Sequence, residues 1–307
     1  MNNALISTSV GLDIGSNTVS CTQLHRDAHG KIHMQHDKSF PVRLSEGLVP
    51  GGVLKPEAIA RALDAIEKIA RKFDYRTSHS RAVATAVLRM TSTPDAFTGP
   101  AKAILGTPVE IIDAAEEARY TAIGAVFDLP ARDDWAILDI GGQSTELSCH
   151  GAGGAWESVS MPLGVVGLTE RFFSSDMPSR EEQEAARDSV RTLLQAHMAP
   201  SLTGQLVCVG GTPTTLSKLV HRMERWDREK VHGSPVSLAQ TQKWLDISSA
   251  VDVKTRIEKF GMKPGRADIF PAGVLILDEM LQYLGKDSFT VSANGLRVGL
   301  ALTLLDN

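Results

Sequence analysis

Two acids on a strand-and-turn unit open the chemistry that this sequence can do. In Trp135-Ala-Ile-Leu-Asp-Ile-Gly-Gly-Gln-Ser-Thr-Glu146, a short apolar run fit for a buried strand carries one carboxylate, Asp139. Such a strand does not normally accept an unpartnered acid. Gly141 and Gly142 then let the backbone turn sharply and offer its N–H groups to a ligand. Gln143, Ser144 and Thr145 add polar side chains, and Glu146 a second carboxylate beyond the turn. Acid, amide nest and acid suit a metal-bound phosphate, although an ordinary glycine hairpin would use the same residues.

The unit recurs. Val10-Gly-Leu-Asp-Ile-Gly-Ser-Asn-Thr18 repeats the strand, the acid (Asp13) and the turn (Gly15, Ser16, Asn17), and Leu206-Val-Cys-Val-Gly-Gly-Thr-Pro-Thr-Thr215 ends another apolar strand in Gly210, Gly211 and Thr212. Internal duplication is the strongest signal in the chain. If the halves face each other, the three turns can converge on one anion.

Two further residues could join them. Arg81 to Leu88 reads as a strand, and Arg89 at its carboxyl end could grip a phosphate bidentately or serve as a surface ion-pair residue. Asp113 and Glu116 have capping-box spacing at the start of a helix, which gives Glu116 a structural task. Glu117, roughly 100° further round the helix, has none. It could act as a general base or simply be a first-turn acid favoured by the helix dipole.

The elements that must position these groups follow the duplication. Each half reads as three antiparallel strands, then a helix, a strand and more helices. In the first half, strands at Thr18–Leu24 and 31–35 flank a turn, and Pro56 to Asp74 is a helix with Pro in its first turn. Pro108–Ile112 is a strand. In the second half, strands at Trp135–Ile140, Thr145–His150 and Trp156–Met161 are joined by glycines 151, 153 and 154. Helices are expected from Leu163-Gly164 to Phe173, at Ser179–Met198 behind a Ser179/Glu182 capping box, and at Ser237–Ala250, Val253–Phe260 and Ala267–Leu284. Gln205–Val209 and Phe289–Ser292 are strands, and Leu296–Leu305 is a final apolar helix packing on the first half. His221 to Lys230 reads as a charged helix face exposed to solvent. Arg266 is undecided.

At 307 residues with 42% hydrophobic and 22% charged content, the chain can bury the core of a two-domain globular protein. A net charge of −4 argues against broad nucleic-acid binding. Cys21, Cys149 and Cys208 read as buried small groups rather than a disulfide or metal set. His25, His29, His33 and His36 straddle a turn without ligand spacing. No membrane span or signal peptide is visible, so the cytoplasm is the expected compartment.

These motifs resemble the exopolyphosphatase / guanosine pentaphosphate phosphatase family of the actin and sugar-kinase superfamily. The likeness runs almost end to end, through Gly11–Thr18, Val42-Arg-Leu-Ser-Glu-Gly47, Ala84-Thr85 to Arg89, Glu116-Glu-Ala-Arg119, Asp139–Gly142, Ser144-Thr-Glu146, Met161-Pro-Leu-Gly164, Gly210–Thr215, Val231-His-Gly233, Arg266-Ala-Asp268 and Gly295-Leu-Arg297. It implies an α/β chain of two duplicated ribonuclease H-like domains, 1–126 plus 296–307 and 127–295, with the site in the cleft between them. It implies hydrolysis of the terminal phosphate of polyphosphate or of guanosine pentaphosphate with magnesium or another divalent cation such as manganese, and a homodimer is the family-level expectation for the assembly. By matching positions, Glu117 would activate water, Glu146 would position that water or the metal, and Asp139 with Asp13 would hold the metal. Gly15, Ser16, Asn17, Arg89, Gly141, Gly142, Gln143, Ser144, Thr145, Gly211 and Thr212 would bind phosphate. The chain departs from the family pattern at Gln143, where a small residue is usual, and at Met90, Ala114, Gly167, Ala293 and Val298. Those departures touch substrate choice more than chemistry. The rival readings are a phosphotransferase of the same superfamily and a non-catalytic sensor of an alarmone or polyphosphate.

Overall fold

The computed structural model describes residues 7–73, 75–76, 79–132, 134–150, 156–197 and 204–305. The expected hairpin glycines 151, 153 and 154, and the expected helix ends at Asp74 and Met198, lie outside the described residues. The chain divides into two compact units, Met1–Phe127 with Gly295–Asn307, and Asp128–Asn294.

The first unit contains β1 (Ser7–Ile14), β2 (Thr18–Arg26), β3 (Ile32–Pro41), α1 (Pro56–Lys72), β4 (His79–Ala84), α2 (Ala86–Met90), α3 (Asp95–Leu105), β5 (Val109–Ile111) and α4 (Ala114–Val126). The second contains β6 (Trp135–Ile140), β7 (Thr145–His150), β8 (Trp156–Met161), α5 (Val165–Phe172), α6 (Arg180–Ala196), β9 (Gln205–Val209), α7 (Gly211–Val220), α8 (Arg228–Val231), β10 (Pro235–Ser237), α9 (Leu238–Ser249), α10 (Val253–Glu258), α11 (Pro264–Ala267), α12 (Phe270–Tyr283) and β11 (Ser288–Val291). Helix α13 (Leu296–Leu305) returns to the first unit.

The sheets run β3-β2-β1-β4-β5 and β10-β11-β9-β6-β7-β8. Read from β8, the second repeats the first strand for strand and adds β10 at its edge. In both, three antiparallel strands are followed by strands parallel to the first of them. Parallel strands need both faces covered. Accordingly Val10, Leu12 and Ile14 of β1, and Leu138 of β6, are buried.

In the first unit the cover on one face is α13. A β-carbon on Gly11 of β1 would fall on the Arg297 carbonyl oxygen, one on Gly124 of α4 on the Gly295 carbonyl, and one on Gly299 of α13 on the Tyr120 carbonyl. Backbone thus meets backbone where α13 crosses β1 and α4, and only glycine fits. In the second unit the acids that interrupt the apolar run of α12 are buried and paired. Asp278 receives Arg187 at 2.7 Å and Glu279 receives Arg191 at 2.8 Å, both arginines reaching over from α6.

Three expectations need correcting. The strand over 81–88 stops at Ala84, which pairs with Ile14, the last residue of β1. Beyond it the Thr85 carbonyl accepts the Leu88 amide, so Arg89 stands on the short helix α2 rather than at a strand end. The charged helix over 221–230 does not form. Arg222 takes a left-handed φ of 52° and the Met223 amide returns to the Lys218 carbonyl, which closes α7 as a Schellman-type end. Lastly, 267–284 is divided between α11 and α12, with Pro271 in the first turn of α12 as a natural restart. No described helix is long and apolar enough to cross a membrane. All three cysteines are buried and free.

Gly299→Ala should cost about 3 kcal/mol or more by overpacking, since the obstacle is backbone and cannot rotate away. Thermal unfolding of the purified variant checks this, and a melting temperature equal to wild type would contradict the close packing of α13.

Candidate active site

In the first unit β1, β4 and β5 are parallel neighbours in register through Ile14, Ala84 and Ile111. Their carboxyl ends therefore share one edge of the sheet, the edge at which open α/β sheets hold ligands. From that edge emerge the turn Gly15–Asn17, the helix bearing Arg89 and the helix bearing Glu117.

The turn is closed by Gly15, whose amide donates to the Thr18 carbonyl at 2.9 Å. Ser16 and Asn17 are buried. Their carbonyls are occupied from the next loop: Val42 and Arg43 donate to the Asn17 oxygen at 2.9 and 3.1 Å, and Ser45 to the Ser16 oxygen at 3.1 Å. Asp13, one residue before the end of β1, is half-buried. Desolvation pushes its carboxyl from the ordinary 3.8 up to about 7, against the opposing pull of Arg297. Arg297 itself is fastened to Asp37 at 2.7 and 3.0 Å, and Thr22 donates to the same Asp37 at 2.7 Å.

Arg89 and Glu117 meet. Both terminal nitrogens of Arg89 reach Glu117 Oε2 at 2.9 Å, and Nη1 also donates to the Ile112 carbonyl at 2.8 Å. Glu117 is buried in the first turn of α4 while Asp113 caps that helix by accepting the Glu116 amide. Of the two glutamates, Glu117 is the one that goes inside.

The second unit brings its own residues together at the matching edge. Asp139 and Glu146 are directly opposed across β6 and β7, so their side chains share a face. Glu146 is only 3% exposed and accepts the Ser160 hydroxyl at 2.7 Å. The third glycine turn lies on the second: a β-carbon at Gly210, whose φ is 109°, would stand 2.8 Å from the Ile140 carbonyl and 3.4 Å from Asp139 Oδ1. Two carboxylates held face to face, one of them buried, repel each other unless a cation or proton intervenes. Among the described residues no group of three or more His, Cys, Asp or Glu could hold a metal. The histidines of the first hairpin are used locally, as where His33 pairs with Asp27 at 2.7 Å.

The Gly141–Gly142 turn is held from behind. Its carbonyls accept the first amides of α5, Val165 to Gly141 at 3.0 Å and Val166 to Gly142 at 2.9 Å. A β-carbon on Gly164 would fall on Gly142 and the Gln143 amide, so the Met161-Pro-Leu-Gly164 segment seats the turn. Ser144 is buried and its carbonyl accepts the Gly141 amide at 2.9 Å. Two expected phosphate ligands are placed otherwise. Thr145 is fully buried and its hydroxyl donates to the Leu163 carbonyl at 2.5 Å, while the Thr212 side chain packs into the space left by Gly273 of α12. Each pins a turn and spends its side chain inside the protein. Gly211 lies under the guanidinium of Arg266, which settles the position of that residue.

Sequence reasoning gave no role to Ser160 or Arg297. Ser160 was accessible in principle, since β8 pairs with β7 in the register Glu146–Ser160. Arg297 sat in a quoted motif, but its partner Asp37 is 260 residues away.

The fold and this edge of carboxylates and glycine turns define an α/β phosphatase of the actin-like, two-domain class. The model of the Ppx/GppA phosphatase family matches residues 24–307. The chain is similar to Exopolyphosphatase 2 of Mycobacterium tuberculosis, 33% identical over 291 residues that cover 90% of this chain and 91% of that protein. Among solved structures it is similar to the Aquifex aeolicus Ppx/GppA family member, with a TM-score of 0.82, 29% identity and coverage of 98% of this chain and 99% of that one. It shares its fold with an exopolyphosphatase from Cytophaga hutchinsonii, with a TM-score of 0.87, 24% identity and 98% of both chains covered. The chain belongs to the Ppx/GppA phosphatase family.

The raised Asp13 carboxyl gives a pH test. In the folded chain it stays protonated up to about 7, whereas unfolded it ionises near 3.8, so its penalty on stability accumulates as pH rises between those values and is complete above the upper one. In chelator-treated protein, Asp13→Asn should raise the melting temperature at pH 8 and leave it unchanged at pH 4. An equal gain at both would show that the carboxyl is not held neutral.

Proposed function

We propose that this phosphatase is an exopolyphosphatase, removing the terminal phosphate of inorganic polyphosphate by attack of water. The observation that carries the reading is the buried Glu117 carboxylate, held by Arg89 at the carboxyl edge of parallel strands, in a chain whose relative across 90% of its length is an exopolyphosphatase. Phosphoryl transfer asks mainly for positioning and charge stabilisation. Beyond the Gly15 and Gly141 amides, which close the turns, the later amides of the Gly15–Asn17 and Gly141–Ser144 turns would supply fixed dipoles for phosphate oxygens. Arg89 carries a planar fork that suits one phosphate bidentately.

The chemical step then needs one proton moved. Glu117 accepts it from the water whose oxygen attacks the terminal phosphorus, and the bond from that phosphorus to the bridging oxygen breaks. The shortened chain leaves as a phosphate anion. Asp139 and Glu146 would hold a magnesium or manganese ion in the second unit. Such ions commonly take one or two carboxylates and complete their shell with water and substrate oxygens, in keeping with so few protein ligands in one place. When bound, the ion would supply positive charge to the phosphoryl oxygens. The Ser160 hydroxyl holds one oxygen of the Glu146 carboxylate.

The second reading, guanosine pentaphosphate as substrate, is favoured by Gln143. Its side-chain oxygen would come within 3.1 Å of a β-carbon at Gly167, so the amide lies against α5 beside the second turn, where an amide could bond a nucleobase as well as a phosphate. Three buried free thiols are in keeping with a reducing compartment, and we place the enzyme in the cytoplasm.

Phosphate release from long-chain polyphosphate and from guanosine pentaphosphate, assayed side by side with magnesium and with a chelator, tests this. The expected result is metal-dependent release, faster from polyphosphate, and tight binding of both without release would make the protein a sensor. Glu117→Gln should lower turnover by about 10²–10⁴-fold. A rate within a few-fold of wild type would remove Glu117 from the role of base.

A further inference from the structure

The connection between β3 and α1, residues 42–55, is fastened to two elements of the candidate site at once. Near its start the Val42 and Arg43 amides donate to the Asn17 carbonyl and the Ser45 amide to that of Ser16, so it backs the Gly15–Asn17 turn. Further on, the Gly51 amide donates to the Met90 carbonyl at 2.7 Å. The Gly52 carbonyl accepts the Ser92 amide at 2.9 Å and the Thr91 hydroxyl at 3.0 Å. Those partners close the short helix α2, which bears Arg89. Gly51 has a φ of 78°, a conformation that glycine adopts without strain, and it bends the connection onto that helix.

Between the two fastenings the chain is not slack. Glu46 donates to the Arg43 carbonyl, Leu48 to that of Ser45 and Gly52 to that of Val49, at 2.9 to 3.1 Å. Leu44, Leu48 and Leu54 are buried in the core of the first unit. One side chain grips the connection from α1. Arg61 donates to the Val42 carbonyl at 2.9 Å and to the Glu46 carboxylate at 2.8 Å, spanning the stretch that bonds the glycine turn. The two side chains are 43% and 39% exposed, and an ion pair so open to water adds little to global stability. Its fork of donors does fix local geometry. We propose that residues 42–55 form a strap that sets the Gly15–Asn17 turn and the Arg89 helix in one position relative to each other, with Arg61 as the positioning residue that tightens it. The strap itself is a matter of backbone bonds. Its consequence for substrate rests on the phosphohydrolase reading, in which the turn and Arg89 hold phosphate.

Two measurements test this, one of them without any ligand. Backbone hydrogen exchange is followed by mass spectrometry in wild type and Arg61→Gln, with melting temperatures taken on the same samples. The expected result is faster exchange both over 42–52 and over 89–93, which Arg61 does not touch, with a melting temperature within about 2 °C of wild type. Faster exchange confined to 42–46, or a general loss of protection with a lower melting temperature, overturns the strap. Binding of sodium tripolyphosphate is then measured by titration calorimetry with magnesium, in the Glu117→Gln background so that turnover does not consume the probe. Arg61→Gln should bind about tenfold more weakly, and Thr91→Val, which keeps its shape and loses the bond to Gly52, several-fold more weakly. Because both act through one strap, the double variant should lose less than the product of the two single losses. A loss equal to that product, unchanged affinity in Arg61→Gln, or a parent that does not bind tripolyphosphate overturns the positioning assignment. The hydrolase reading fails on a different result, a wild-type protein that binds tripolyphosphate and releases no phosphate, and both comparisons stand in that case.

Discussion

Contacts that admit no β-carbon hold each unit's site elements in register. In the first unit, α13 touches β1 at Gly11 and α4 at Gly124 and Gly299, backbone on backbone. The strand bearing Asp13 and the helix bearing Glu117 are thus fixed against one rod. In the second, Gly164 lets the segment after β8 close on Gly142 and Gln143, and Gly210 lets the third turn close on the carbonyl of Ile140. Packing at this distance leaves no side chain to repack, so displacement of one element must displace its neighbour. Rigid placement is what phosphoryl transfer most requires of a protein.

On that frame the charged groups are arranged by what they lack as much as by what they contact. Glu117 is buried with Arg89 as its ion-pair partner. Asp139 and Glu146 are opposed across β6 and β7. Asp13 is desolvated to the point of holding a proton near neutral pH. Burying charged groups in this way is costly for a protein that only has to fold.

Much of this was legible in the sequence because it is local. The strand–acid–glycine repeat gave the duplicated sheets, since alternation and glycine position are properties of neighbouring residues. The Asp113 cap separated Glu116 from Glu117 for the same reason. What stayed hidden depends on partners far along the chain. The strand through Leu88 stopped at Ala84 because β1 ended, which no residue of 81–88 records. The charged stripe at 221–230 failed because Arg222 adopts a conformation that its residue type disfavours. Thr145 and Thr212 looked like phosphate ligands because a hydroxyl beside a glycine turn reads the same whether it faces outward or, as here, is spent on Leu163 or packed at Gly273. Ser160, Arg61 and Arg297 carry no local signature, and only the fold reveals them.

The central claim is that Glu117 delivers water, and no other acceptor, to a terminal phosphorus. Hydrolysis of polyphosphate in ¹⁸O-enriched water, followed by mass spectrometry of the orthophosphate, tests it most directly. The account predicts a single solvent-derived ¹⁸O in each phosphate released by the first turnover. Unlabelled phosphate, or phosphate appearing only when an acceptor such as ADP is added and then on that acceptor, would contradict it and make the enzyme a phosphotransferase.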